Sequence, residues 1–237
     1  MQIVRIGDGS AARPPAELVG AKAANLARMA ELGLPVPPAF VLPVDLCAAV
    51  VERDPRADAD LRDGLREGIA YLEGATDRRF GDRRRPLLVS VRSGAARSMP
   101  GMLDTVLDVG CTLPAVRGLV RMTGNPRFAW DCRRRFLEAY AETVLELDPA
   151  PFAERLQRAV DGEDVDSECD LDSEALERIA ADGLSLIDGQ CEGLPDDPMD
   201  QLIEAARAVF RSWTGERACT YRRLQDLEHL RGTAVTV

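Results

Sequence analysis

The stretch RPLLVSVRSGAARSMPGMLDTVLDVG, residues 85–110, decides the fold. LLVSV (87–91) is apolar and β-branched, with Pro86 before it and polar residues after it, and reads as a buried strand. RSGAARSMPGMLDT (92–105) has Gly94, Pro100 and Gly101 and no hydrophobic period, so a long loop is expected at the end of that strand. Val106–Val109 reads as a second short strand. A long loop following a buried strand is where α/β proteins tend to hold ligands.

Upstream, residues 22–32 place Leu26, Met29 and Leu32 at helical spacing, with Gly33 as a stop signal. The prolines of 34–38 exclude helix and favour an extended entry into a strand at 39–42. Helices are expected at 44–52 and 58–73, and a charged loop at 77–86. Downstream, apolar residues recur at i, i+3, i+4 near 114–122, 126–146, 150–160, 172–188 and 198–213, with an acidic loop at 161–172. A basic helix follows from 217, and TAVTV (233–237) reads as a strand with a bare edge, open to pairing with a partner strand. The expected class is α/β, α+β in detail. Residues 1–112 and 198–237 form a small sheet with helices, and 113–197 form a helical subdomain.

The composition narrows the chemistry. The 237 residues carry 30 Lys plus Arg against 40 Asp plus Glu, a net charge of -10. Lys22 is the only lysine and His229 the only histidine. A lysine Schiff base must therefore use Lys22, and a histidine triad or His-rich metal site has no second histidine. An acidic chain is a poor nucleic-acid ligand without a local basic patch. The one run that suggests such a patch, Arg133-Arg134-Arg135, cannot face one way on a helix and reads as a packing helix with solvated or ion-paired arginines. No apolar run reaches the ~20 residues that span a bilayer, and residues 1–6 do not read as a signal peptide, so a cytoplasmic protein is expected. The six cysteines are widely spaced with no C-x-x-C pair, which argues for reduced, structural thiols and against zinc.

Two segments point to phosphate. In GAKAAN (20–25) a glycine and a lysine open a helix, where free N–H groups and the helix dipole favour an anion. The spacing is not that of a Walker loop, and an ordinary capped helix with an exposed lysine fits the local pattern as well. In the 89–105 stretch Arg92 comes off the strand, Arg97 follows, Gly101 permits close approach of a ligand to the backbone, Ser93, Ser98 and Thr105 supply hydroxyls, and Asp104 supplies a carboxylate. A structural loop with an arginine paired to a surface acid is the competing reading.

Taken together, these segments resemble a family. LVGAKAANLARMAELGLPVPPAFV (18–41), LLVSVRSGAARSMPGMLDTVLDVG (87–110), TGNPRFAWDCRRRFLEAYAETV (123–144), LPDDPMDQL (194–202), AVFRSW (208–213) and RACTYRRLQDLEHLRGTAVTV (217–237) look, in order, like the N-terminal nucleotide-binding domain of the pyruvate, phosphate dikinases. The resemblance implies an ATP-grasp-type first lobe that takes part in moving the β-phosphoryl of ATP to a histidine on a swivelling domain. It implies that Lys22 and Arg92 contact the triphosphate and carry the catalytic role. It also implies that the loop Ser98–Met102, with Leu103, closes over the triphosphate, and that Ser93, Gly101, Met102, Leu103, Asp104 and Thr105 take part in binding the nucleotide. Mg²⁺ is expected beside the phosphates, with ligands mostly outside these residues. The second ATP-grasp lobe, the carrier-histidine domain and the acceptor barrel are expected to be missing. The chain would then work with a separate polypeptide that brings them, or act as a nucleotide-binding module without turnover. His229, in LEHLRG, does not match the family's phosphocarrier motif.

Overall fold

The computed structural model describes residues 2–9, 13–191 and 193–237. Its strands are β1 (Val4–Ile6), β2 (Ala39–Leu42), β3 (Arg79–Phe80), β4 (Pro86–Leu87), β5 (Val89–Gly94), β6 (Thr105–Val109) and β7 (Ala234–Thr236). Its α-helices are α1 (Ala16–Glu31), α2 (Leu46–Val51), α3 (Pro55–Thr76), α4 (Leu113–Thr123), α5 (Pro126–Thr143), α6 (Ala150–Gly162), α7 (Ser173–Asp188), α8 (Pro198–Arg211) and α9 (Glu216–Leu224). The chain forms two compact units. The first holds 1–77, 90–105 and 202–237, and the second holds 78–89 and 106–201. Residues 78–89, 106–112 and 198–201, expected with the sheet, thus fall with the helical unit.

In the first unit the strands run in the order β1-β2-β7-β5, and each pairing is antiparallel. The unit is α+β; parallel strands, the usual mark of an α/β sheet, are absent from it. One row of partners crosses the sheet from Val4 to Val41, Thr236 and Arg92. Directly opposite residues of antiparallel strands share a face, so this row lies on one side of the sheet. The same side carries Ile6, Ala39, Ala234 and Gly94, and α1 covers it with Val19 and Ala23. The other side carries Phe40 and Leu42, which are fully buried. There α3 comes close because Gly68 has no side chain: a Cβ at that position would lie 2.4 Å from the Phe40 ring. Helices on both faces of the sheet give two apolar interfaces to one core.

Local chemistry explains the helix ends. Asp54 caps α3 by accepting from the Arg56 and Ala57 N–H groups, and Pro55 occupies the first turn, where no donor is needed. Leu61, Leu65, Ile69 and Leu72 then form its buried stripe. Asn125 caps α5 through the Phe128 N–H, again with proline at the first helical position. Gly124 ends α4 in a left-handed conformation.

Three expectations need correction. TAVTV offers no bare edge: β7 pairs with β2 on one side and β5 on the other, and Ala234, Val235 and Thr236 are all buried. Ala234 and Val235 point to opposite faces of β7, and an interior position buries both. The strand expected at 87–91 is two strands, with β4 pairing in parallel with β3 and β5 running on through Arg92 and Ser93 to Gly94. Partners on β7 hold those polar residues extended, so the irregular loop is only 95–104. The charged 77–86 segment contains β3, which is anchored by Phe80 under Gly110: a Cβ on Gly110 would lie 2.5 Å from that ring.

In the second unit α5 and α7 form the main helix pair. Arg133 is buried; it donates to the Cys111 carbonyl at 2.7 Å and lies over the Phe136 ring. Arg134 is also buried and reaches Asp131 (2.7 Å), Glu138 (3.0 Å) and Glu168 (3.1 Å). Arg135 shares Asp131 and Glu168. The arginine run is thus ion-paired and packed within this unit. All six cysteines are free thiols, and Cys47, Cys111 and Cys132 are buried. Burial pushes the Cys132 thiol up to about 12 and the Cys111 thiol higher still, which makes both unreactive. No helix among the described residues is long and apolar enough to cross a membrane.

Candidate functional site

The site begins with two glycines in the first unit. Gly20 interrupts α1 with φ 80° and ψ 156°, a conformation essentially restricted to glycine, and the regular helix starts after it. A Cβ on Gly20 would lie 2.0 Å from the Gly94 carbonyl oxygen, so only a glycine lets α1 press its backbone against the end of β5. Two hydrogen bonds fix the approach. The Ala21 N–H donates to the Ala95 carbonyl at 2.9 Å, and the Gly94 N–H donates to Thr233 Oγ1 at 3.0 Å.

Lys22 lies two residues past Gly20 and Arg92 two residues before Gly94, so each flanks this junction. Both residues are exposed. The Lys22 amine is nonetheless partly desolvated, and that, together with repulsion from Arg92, holds its pKa below the ordinary lysine value. Among the described residues neither Lys22 nor Arg92 has a carboxylate partner, whereas Arg5, Arg13, Arg62, Arg134 and Arg207 all do.

The other expected residues are placed differently. Ser93 is the cross-strand partner of Val235, so strand alternation turns its side chain to the face opposite Arg92. Gly101 has φ 70° in a turn closed by the Met102 N–H on the Met99 carbonyl (3.2 Å). Met99 is buried and anchors this turn, while Met102 and Leu103 are half-buried. Ser98 and Arg97 are exposed. The Asp104 N–H donates to Ser212 Oγ and its carboxylate accepts from Arg217, each at 3.3 Å. Burial raises the Asp104 pKa, and Arg217 opposes the shift. Thr105 opens β6 and is half-buried. Among the described residues no hydrogen bond or ion pair ties 101–105 to Lys22 or Arg92. Lys22 and Arg92 thus flank the Gly20–Gly94 junction, and the 101–105 turn is attached to the 212–217 segment. Sequence reasoning did not assign a role to Gly94, although a glycine at a strand end opposite a second glycine at a helix start is a signal of close backbone approach.

Magnesium was expected beside the phosphates. Among the described residues no group of three or more His, Cys, Asp or Glu side chains converges, and Asp104, the carboxylate of the expected loop, is engaged by Arg217. His229 lies in a turn, its Nδ1 3.1 Å from the Asp226 carbonyl. It lines a cleft of about 440 Å³ with Glu17, Asp45 and Arg231. A second cleft, of about 770 Å³, is lined by Arg5, Asp8, Arg13 and Glu67, and neither cleft includes Lys22 or Arg92.

The first unit is an α+β sheet flanked by helices, and sequence comparison gives the chain a family. The model of the pyruvate phosphate dikinase AMP/ATP-binding domain matches residues 56–237, so the chain belongs to that nucleotide-binding family. Similar proteins include the pyruvate, phosphate dikinase of Rhizobium meliloti, 43% identical over 223 residues, which cover 92% of this chain and 24% of that protein. The pyruvate, phosphate dikinase of Clostridium symbiosum is 39% identical over 222 residues, covering 93% of this chain and 25% of that protein. The chloroplastic pyruvate, phosphate dikinase 1 of Oryza sativa subsp. japonica is 40% identical over 224 residues, covering 93% and 23%. The chain spans about a quarter of the length of these relatives.

Proposed function

We propose that the chain is the ATP-binding part of a pyruvate, phosphate dikinase-like phosphotransferase, and that Lys22 and Arg92 hold the ATP polyphosphate. The observation that carries this reading is that Lys22 and Arg92, which flank the Gly20–Gly94 junction, have no carboxylate partner among the described residues. A polyphosphate fits there by charge and by donor type. Arg92 offers a planar fork to two oxygens, and Lys22 a compact point charge that an arginine would not reproduce. As a phosphoryl group leaves, charge grows on the leaving and non-bridging oxygens. Fixed cations at those oxygens lower the barrier without covalent participation.

In this reading the unit is a first ATP-grasp-type lobe in the cytoplasm. The phosphoryl acceptor and the carrier histidine belong to other parts of the enzyme, on a separate polypeptide or a further domain, since His229 sits in a turn with its ring against a backbone carbonyl. The Gly101–Thr105 turn is assigned to closure over the bound nucleotide, a role that needs the turn to move from its attachment at Ser212 and Arg217. The test is calorimetric titration of ATP into the wild-type chain, Lys22→Ala and Arg92→Ala. Wild-type binding that weakens at least about tenfold in each variant supports the reading, because each loses a charge-assisted contact. No binding by the wild type, or equal binding by the variants, overturns it.

A further inference from the structure

Thr236 is 5% exposed, and among the described residues its Oγ1 has no hydrogen-bond partner. A buried hydroxyl without a partner is uncommon, because it gives up its bonds to water and gets nothing in return. Its position is specific. Thr236 is the direct cross-strand partner of Arg92, so the two side chains leave the same face of the sheet with Cβ atoms about 5 Å apart. The row from Val4 and Val41 is apolar up to this point and turns polar at Thr236 and Arg92. Oγ1 also lies 3.8 Å from where a Cβ on Gly94 would stand, beside the junction that positions Lys22. The neighbouring Thr233, by contrast, is satisfied, accepting from the Gly94 N–H and donating to the Ala234 carbonyl. A valine at 236 would pack in the same shape without an orphaned group.

We propose that the Thr236 hydroxyl is a third contact of the anion site, donating a hydrogen bond to a phosphoryl oxygen held by Lys22 and Arg92. This rests on the polyphosphate reading of those two residues and adds a neutral donor at the floor of their site. The hydroxyl is orphaned in the free protein because its acceptor arrives with the ligand. A neutral donor beside two cations also selects for an oxygen in a defined place, which charge alone does not.

The test is calorimetric binding of ATP and of inorganic tripolyphosphate to the full chain, wild type, Thr236→Val, Thr236→Ser and Lys22→Ala, with thermal unfolding of each. The expected result is binding weakened about tenfold or more in Thr236→Val, near wild type in Thr236→Ser, with a Thr236→Val melting temperature equal to or above wild type. Thr236→Ala is the second deletion of the hydroxyl, used if valine perturbs folding, and is expected to weaken binding likewise. Wild-type affinity in the well-folded Val or Ala variant, with Lys22→Ala weakened, overturns the Thr236 contact and leaves the polyphosphate reading standing. Equal loss in Thr236→Ser and Thr236→Val also overturns it, since the hydroxyl is then not the cause. Unchanged binding in Lys22→Ala, or none by the wild type, overturns the reading on which it rests.

Discussion

Gly20 and Gly94 meet backbone to backbone, with the space for a Cβ on Gly20 taken by the Gly94 carbonyl. The relation is not symmetrical. A Cβ on Gly94 would meet only ordinary contacts, the nearest at 3.5 Å from the Val19 carbonyl. Gly20→Ala is therefore expected to destabilise the chain by about 3 kcal/mol or more, since strain at a glycine-only conformation adds to a backbone clash. Gly94→Ala is expected to change stability by less than about 1 kcal/mol. Denaturant unfolding of both variants measures this. Equal effects would mean that the junction does not set the position of Lys22.

The depressed pKa of Lys22 gives a pH signature. At neutral pH the amine is charged in both folded and unfolded chains, and the folded chain bears the cost of desolvation and of Arg92. As pH rises through the lowered folded pKa, the unfolded state binds more protons, so stability rises with pH until about 10.4, where the unfolded lysine also loses its charge. Lys22→Met has no such cost. It is expected to be more stable than wild type at pH 7.5, with the gap closing toward pH 10.5. A gap constant over that range, measured by urea unfolding, contradicts the assignment of strain to this amine.

In the helical unit Arg134 is the shared cation of Asp131, Glu138 and Glu168. Its side chain is only 4% exposed, so its removal leaves partly buried carboxylates facing one another. Arg134→Ala is expected to cost about 3 kcal/mol, the usual scale for breaking a buried pair from one side. Chemical denaturation followed by far-UV circular dichroism reads it. A loss under about 0.5 kcal/mol, the level of a surface pair, would show that the network is solvated.

The sequence made the helices and the two candidate phosphate ligands legible, for physical reasons that differ. Asp54-Pro55 and Asn125-Pro126 carry their own capping chemistry, and Leu61, Leu65, Ile69 and Leu72 mark a buried stripe that no partner needs to reveal. Lys22 and Arg92 stood out through residue type and motif. What was not legible depends on contacts distant in sequence. The interior place of β7 follows from pairing with strands some 140 and 190 residues earlier, and the extended state of Arg92 and Ser93 comes from those same bonds. Ser93 looked equivalent to Arg92 until the register put it on the other face. Thr236 resembled any strand threonine until the residues around its hydroxyl were known.

The central claim, that Lys22 and Arg92 together hold a polyphosphate, has one direct measurement. Lys22 is the only lysine, so a spectrum of protein labelled with ¹⁵Nζ-lysine contains a single side-chain amine to follow. Titrated by NMR, that amine is expected to have a pKa below the ordinary lysine value in the free protein, to rise when Arg92 is replaced by alanine, and to rise in the wild type when ATP is added. An amine that titrates as an ordinary lysine, indifferent both to Arg92→Ala and to saturating ATP, would contradict the account.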